Sequence, residues 1–357
     1  MIFENVTKNL VQAGRLNRRM DPTVNKTTFK DLRNVTNIDV PTSSIVSYFL
    51  HVYAYLIIGS MLLLINISVF LMVMIHKALR TPYLILAVVF FNNALTGMSA
   101  ILTGMKRLIV STVEEQYIVH YDCVLNVPIF LLTTFFLNGW SLLMSSAERF
   151  FVIAYPTYYY IHTKQIIYSL IVIQYTTAVI AVTSAAPASL TEPIRHVSHF
   201  CVQEDVYSSY FYVALVSLNS WASLFSIILM FIVAIILQKK FGTEFFSIYS
   251  HNRNLIQFLK NQIRYTQTAL FFCYFTFCFV VVPSIVQCIH MMDPNVKSQS
   301  IVIYCAYFPL LNSFNMVAFF MYRQKDLQDA AIHSLKWLFG KRKHSVQSVT
   351  PIVRFAE

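Results

Sequence analysis

The chain has 357 residues, of which 57% are hydrophobic and only 12% charged, and its mean hydropathy is +0.58. A soluble globular chain carries about 25% charged residues, so the composition excludes a soluble domain and indicates an integral membrane protein. The formal charge of +11 then points to an anionic membrane surface and acidic cytosolic partners, not to nucleic acid.

Residues 1–44 are polar and hold three glycosylation sequons, Asn5-Val6-Thr7, Asn25-Lys26-Thr27 and Asn34-Val35-Thr36. They read as an extracellular tail. No apolar run stands at the N-terminus to serve as a cleavable signal, so the first span is expected to act as the anchor. A fourth match, Asn66-Ile67-Ser68, lies inside that span and is not an acceptor site.

Seven stretches free of Asp, Glu, Lys and Arg follow: Ile45–Ile75, Tyr83–Met105, Val124–Ala147, Gln165–Leu190, Val206–Leu237, Tyr265–His290 and Ser298–Tyr322. About 20 apolar residues cross a bilayer as a helix. Barrel strands would alternate apolar and polar residues, whereas these runs are continuously apolar. The expected fold is all-α, a seven-transmembrane-helix bundle over residues 45–322. With seven glycines the chain lacks the Gly-interrupted helix pairs of many secondary transporters.

Charge sets the orientation. With the N-terminus outside, the cytoplasmic side bears sixteen Lys and Arg against five acids, and the outer side eleven of each. The link Gln238–Arg264 is a basic cytoplasmic loop, with Lys239, Lys240, Arg253, Lys260 and Arg264 against Glu244. The flanks of the first span dissent: Lys26, Lys30 and Arg33 precede it, and only Lys77 and Arg80 follow.

Cys273, Cys278, Cys288 and Cys305 fall in the last two spans and read as small apolar core residues. Cys123 heads the third span and Cys201 lies in the loop after the fourth, both on the face that carries the sequons. An oxidising exterior permits a disulfide between them. From Cys123, 26 residues of helix reach about 39 Å, which places the charged pair Glu148–Arg149 at the opposite membrane face. An isolated Arg there would read as a snorkelling anchor.

Glu148-Arg149-Phe150, with Ile153 and Pro156 after it, resembles the Asp/Glu-Arg-Tyr element of rhodopsin-like G-protein-coupled receptors. The resemblance implies that Glu148 holds Arg149 at rest and releases it towards a heterotrimeric G protein on activation, so that the pair is a lock and not a catalytic dyad. Cys123 and Cys201 match the family's disulfide. Asn66 with Val69 resembles Gly-Asn-x-x-Val, with Ile65 in place of the glycine. Asn93, or its neighbour Asn92, falls near the family's sodium-binding Asp without its charge. The fourth span has no Trp, Val281 precedes Pro283 where a Trp toggle is expected, and Asn315-Met316-Val317-Ala318-Phe319 replaces Asn-Pro-x-x-Tyr. Kept and eroded landmarks together, with 30 Phe and 21 Tyr, are similar to the divergent serpentine chemoreceptors of nematodes.

A ligand pocket is then expected to open outwards between the third, fifth, sixth and seventh helices, lined by Phe130, Leu131, Thr134, Gln287, His290, Tyr304 and Tyr307. These offer aromatic faces and uncharged hydrogen-bonding groups, and a buried ammonium without a counter-charge is costly. A small neutral or weakly polar extracellular ligand is expected, with a peptide at the outer loops as second choice. Residues 323–357 form a cytoplasmic helix and tail. Leu327, Ala331, Leu335 and Leu338 share one face of a short amphipathic eighth helix ending in Lys341-Arg342-Lys343, which should lie on the inner leaflet.

No phosphate loop, His-Glu-x-x-His or Gly-x-Ser-x-Gly motif is present, so no enzyme, catalytic residue, metal or cofactor is expected. The alternative is a seven-span ligand-gated cation channel of inverted topology, in which Arg149 would face outwards and both cysteines would sit in reducing cytosol.

Overall fold

The computed structural model describes residues 42–80, 82–110, 117–193, 195–198, 201, 203–240, 253–292 and 299–338. The described residues from Phe49 onwards form one compact unit. The sequons at Asn5, Asn25 and Asn34 and the segment 339–357 lie outside the described residues.

Among the described residues nine long helices carry the architecture. They are α1 (Thr42–Ile75), α2 (Leu84–Val110), α3 (Val127–Ala154), α4 (Pro156–Leu190), α5 (Ser209–Lys240), α6 (Arg253–Thr276), α7 (Val282–Met292), α8 (Gln299–Arg323) and α9 (Lys325–Leu338). Helices α6 and α7 are one rod joined through a π-helical turn, Phe277–Val281. Pro283 has no N–H and its ring would clash with the carbonyl of Phe279 in a regular α-helix, so the wider turn relieves the clash. Pro187 in α4 and Pro309 in α8 are accommodated within their helices, and α4 kinks at His162 (φ −107°, ψ 20°).

Among the described residues six stretches are long and apolar enough to cross a membrane: Tyr53–Ile75, Leu84–Val110, Val127–Ala154, Pro156–Leu190, Tyr210–Lys239 and Thr266–Ile289. The protein is therefore an all-α, multi-pass membrane protein. Without water in the hydrocarbon, each backbone N–H and C=O must be paired within its own segment, which the helix does completely. Large apolar side chains such as Leu64 and Ile75 of α1, Ile180 of α4 and Phe231 of α5 stay exposed on the bundle, as a lipid solvent allows.

Two glycines let α1 and α2 approach backbone to backbone. A Cβ at Gly97 of α2 would lie 2.6 Å from the Leu63 backbone nitrogen, and one at Gly59 of α1 would lie 2.7 Å from the Gly97 carbonyl oxygen. Backbone thus meets backbone, the small-residue packing that drives helix association in lipid. Gly97→Val should force α1 and α2 apart, lowering the melting temperature and surface delivery, with a cost of about 1–3 kcal/mol or more for overpacking. Gly104→Ala, which meets chiefly the Leu56 side chain, should be milder. Equal thermal stability of Gly97→Val and wild type would show that this contact does not hold the bundle.

One part of the core is built from Val73, Phe90, Met230, Phe272, Met316, Phe320 and Leu327, of which Met230, Phe272, Met316 and Phe320 lie by Arg149. Near the cysteines it comprises Val124, Leu132, Phe136, Ala185, Val206 and Tyr207. Helix α3 runs between the two and packs on α2, α4 and α5. It is the axis of the molecule.

Candidate functional site

At one end of α3 the chain is stapled. Cys123 and Cys201 form a disulfide with their Cα atoms 5.6 Å apart, and both are buried. Cys201 adopts a left-handed backbone (φ 46°), unfavourable for a residue with a Cβ. The loop that the bond secures is also held by an antiparallel strand pair, β1 (Tyr117–Val119) and β2 (His196–Ser198). Fully buried His120 reaches the Ser189 carbonyl through Nε2 at 3.2 Å, and Arg195 donates to the carbonyl of Tyr207 at 2.9 Å. Half-buried Lys106 places Nζ 3.0 Å from Cys201 Sγ.

Cys123 does not belong to α3. It sits in a separate short helix, His120–Val124; α3 restarts after Asn126, whose side-chain oxygen caps the Val127 N–H at 2.7 Å.

At the other end Glu148 and Arg149 are each 1% exposed, and Arg149 Nη2 donates to Glu148 Oε2 at 2.5 Å. The second carboxylate oxygen accepts from the Tyr159 hydroxyl at 2.7 Å. Glu148 therefore satisfies a guanidinium and a phenol at once. Sequence reading missed Tyr159: nothing distinguishes it within Tyr155–Tyr160 until the chain restarts at Pro156 and turns the 159 side chain inwards. Phe150 is half-buried and packs edge-on against Phe151 and Tyr155. A void of about 20 Å³ lies beside Arg149, bounded by Ser226, Met230, Phe272 and Phe320 among others.

No acidic residue occurs in α6, so Arg149 has no acid on that helix to pair with. Helix α6 is held instead at the α8–α9 corner. Buried Gln324 donates to Thr268 Oγ1 at 3.3 Å, and the Arg323 guanidinium lies 5.0 Å above the Phe271 ring.

Between these ends the bundle carries a chain of buried amides. Asn92 donates to Ser141 at 2.7 Å, Gln174 donates to the same oxygen at 2.8 Å, and Tyr175 donates to Asn92 Oδ1 at 2.9 Å. Asn93 instead faces α8, accepting from Ser313 at 3.1 Å. The two neighbouring asparagines thus have different tasks, one tying α2 to α3 and α4, the other tying α2 to α8. Asn66 is fully buried but donates to the Leu62 carbonyl of its own helix, at 2.9 Å. Asn315 is half-buried and makes no side-chain hydrogen bond among the described residues.

A cavity of about 100 Å³ lies next to this network, walled by α2, α3, α5, α6, α7 and α8, with Gln203 contributing from the short helix Gln203–Val206 beyond the disulfide. Of the residues expected to line a pocket, Gln287 does so, donating to Tyr212 at 3.3 Å. Phe130 is 56% exposed and lies off the cavity wall. Leu131 and Thr134 are buried elsewhere, the Thr134 hydroxyl donating to the Leu131 carbonyl at 3.1 Å. Tyr307 packs on Tyr55 with ring centroids 5.0 Å apart. The side chains of His290 and Tyr304 lie outside those described. The wall that α3 presents is Leu132, Phe135, Phe136, Asn138, Gly139 and Leu142.

The sequence matches no protein-family model and no curated protein at a significant level.

Proposed function

We propose that this chain is a G-protein-coupled chemosensory receptor of the rhodopsin-like type, a divergent relative of the nematode serpentine chemoreceptors. In this reading α8 is the seventh span, the N-terminus is extracellular at the plasma membrane, and α9 lies along the inner leaflet as the amphipathic eighth helix. A small extracellular molecule enters the bundle and a heterotrimeric G protein docks opposite.

The observation that carries the reading is the buried Glu148–Arg149–Tyr159 group, at the end of α3 opposite the disulfide-stapled loop. A charge pair in low dielectric is stable only while both partners and their hydrogen bonds are in place. Displacement of α3 relative to α4, which brings Tyr159, shifts the balance between a sequestered and a released guanidinium. A ligand that binds one of these arrangements better than the other biases the switch by its difference in affinity. The contacts of Gln324 and Arg323 with α6 must loosen when that end of the bundle opens.

The orientation is tested on the intact cell. A protein with its N-terminus outside should lose apparent mass on glycosidase treatment, and Asn→Gln changes at 5, 25 and 34 together should abolish the difference. An unchanged wild-type mobility, with the N-terminal tail labelled only after permeabilisation, would favour the inverted channel.

A further inference from the structure

His120 is fully buried at the head of the short helix His120–Val124, and the Glu148–Arg149 switch does not use it. Its ring is held from two sides. The Ser189 carbonyl lies 3.2 Å from Nε2 and can only accept, so Nε2 carries the proton. On the other side the Arg195 backbone N–H donates to Nδ1 at 3.4 Å, so Nδ1 keeps its lone pair. Both bonds exist together only in the neutral ring. A proton added at Nδ1 would set N–H against N–H and leave a charge buried, which is costly.

The same ring closes the strand pair. The last paired residues of β1 and β2 are Val119 and His196. One step further the His120 N–H donates to the Arg195 carbonyl at 3.0 Å, while the Arg195 N–H turns to the imidazole in place of a backbone carbonyl. Arg195 carries the connection onwards, its guanidinium donating to the carbonyls of Val206 at 3.3 Å and Tyr207 at 2.9 Å. The Tyr207 hydroxyl donates to the Val124 carbonyl at 3.2 Å, and Gln203, which lines the bundle cavity, donates to the Pro128 carbonyl at 3.2 Å. Release of Arg195 from His120 therefore loosens a segment that reaches the cavity wall.

In the short helix itself Tyr121 packs against the imidazole with ring centroids 4.1 Å apart, and Asp122 is exposed and interacts with the Lys106 charge. β1 brings Tyr117; on the opposite strand and the turn before it stand exposed His196 and the Arg195–Glu192 ion pair at 3.2 Å. Helices α3 and α4, which pack on the short helix, have no ionisable residue between Cys123 and Glu148 or between Tyr175 and Glu192. The helix Gln203–Val206 has Glu204 and Asp205 in its sequence. No carboxylate among the described residues accepts a hydrogen bond from the ring, so no acid is bonded there to hold a second proton. We propose that His120 is an acid-sensitive latch: proton uptake by its ring frees the Arg195 end of the disulfide-stapled loop, so that acid outside the cell is a second input to the protein. The neutral ring is the one that fits, so the loop is held at neutral and alkaline pH and released as the pH falls. Imidazoles as a class change charge between about pH 5 and 8. The latch follows from the bonds to the ring; that the acid is extracellular rests on the receptor reading.

Hydrogen–deuterium exchange of the full-length protein in lipid nanodiscs, at about pH 7.5 and about pH 5.5, reads the latch locally. With the intrinsic pH dependence of amide exchange removed, protection of 195–198 should fall about tenfold at the lower pH, the proton-binding ratio of an ordinary exposed imidazole one unit below its midpoint. Helix α3 should keep its protection. His120→Gln, whose amide offers a donor and an acceptor but takes up no proton in this range, should exchange alike at both pH values. His196→Gln and Glu192→Gln should respond as wild type does. Should His120→Gln fail to fold, wild type and these two controls decide. Equal protection of the wild-type loop at both pH values, a loss that spreads through α3, a wild-type response in His120→Gln, or its disappearance in either control would overturn the proposal. The readout is local exchange, so failure of the G-protein reading would leave the latch standing, and a signalling receptor with a pH-independent loop would refute this inference alone.

Discussion

Arg149→Ala is expected to abolish ligand-driven G-protein activation. The guanidinium is the group that the reading hands to the G protein, and no Lys or Arg stands at the neighbouring positions 144–148 and 150–154 to replace it. The same change leaves the Glu148 carboxylate, 1% exposed, with Tyr159 as its remaining partner in the group. Removing one member of a buried pair costs about 3–5 kcal/mol, so lower surface density is expected from the single change. Combining it with Glu148→Gln removes the stranded charge and should restore surface density without restoring signalling. Flow cytometry of a tagged receptor together with a second-messenger readout separates the two effects. Normal signalling per surface receptor in either variant would exclude Arg149 from the switch. Tyr159→Phe should act in the opposite direction, raising ligand-free activity, because it weakens the hold on Glu148.

The second large effect belongs to the disulfide. Cys123 and Cys201 are separated by 78 residues, and closing a loop of that length contributes on the order of 4 kcal/mol in the chain-entropy model. Cys123→Ser or Cys201→Ser should therefore impair folding and surface delivery severalfold, and the double change should be no worse than either single one. The strand pair β1–β2 and the Arg195 hydrogen bonds still tie part of the loop down, which favours a reduced yield over a complete loss. Surface delivery and signalling of the single variants at wild-type levels would show that the bond is dispensable.

The helices were legible because lipid leaves the backbone no other solution: a charge-free apolar run of sufficient length has to be a helix. Disulfide partners were legible because two cysteines fell on one side of the bundle, away from the four in the apolar spans. The cavity face of α3 was not. Counting turns down from Cys123 selects Phe130, Leu131 and Thr134, but Leu125 and Asn126 break the helix and α3 starts afresh at Val127. That restart shifts the helical phase, so Leu132, Phe135, Phe136 and Asn138 take the inward positions. Similarly, Asn92 and Asn93 could not be separated by position, since adjacent helical residues point about 100° apart and each found its own buried partner. Gly139 and Asn219 could not be linked from sequence, because their contact spans two helices and depends on an absent Cβ.

If Glu148 restrains Arg149 from a G protein, the restraint can be tested without knowing the ligand. Purified wild-type, Glu148→Gln and Arg149→Ala proteins in nanodiscs are mixed with each class of heterotrimeric G protein, and the rate of GDP-for-GTP exchange is measured. Freed by Glu148→Gln, Arg149 should raise ligand-free exchange severalfold over wild type on at least one class, and Arg149→Ala should stay at the uncatalysed rate. Folded Glu148→Gln protein that accelerates exchange on no class, or Arg149→Ala protein that accelerates it as well as Glu148→Gln, would show that Glu148 does not restrain Arg149 from a G protein.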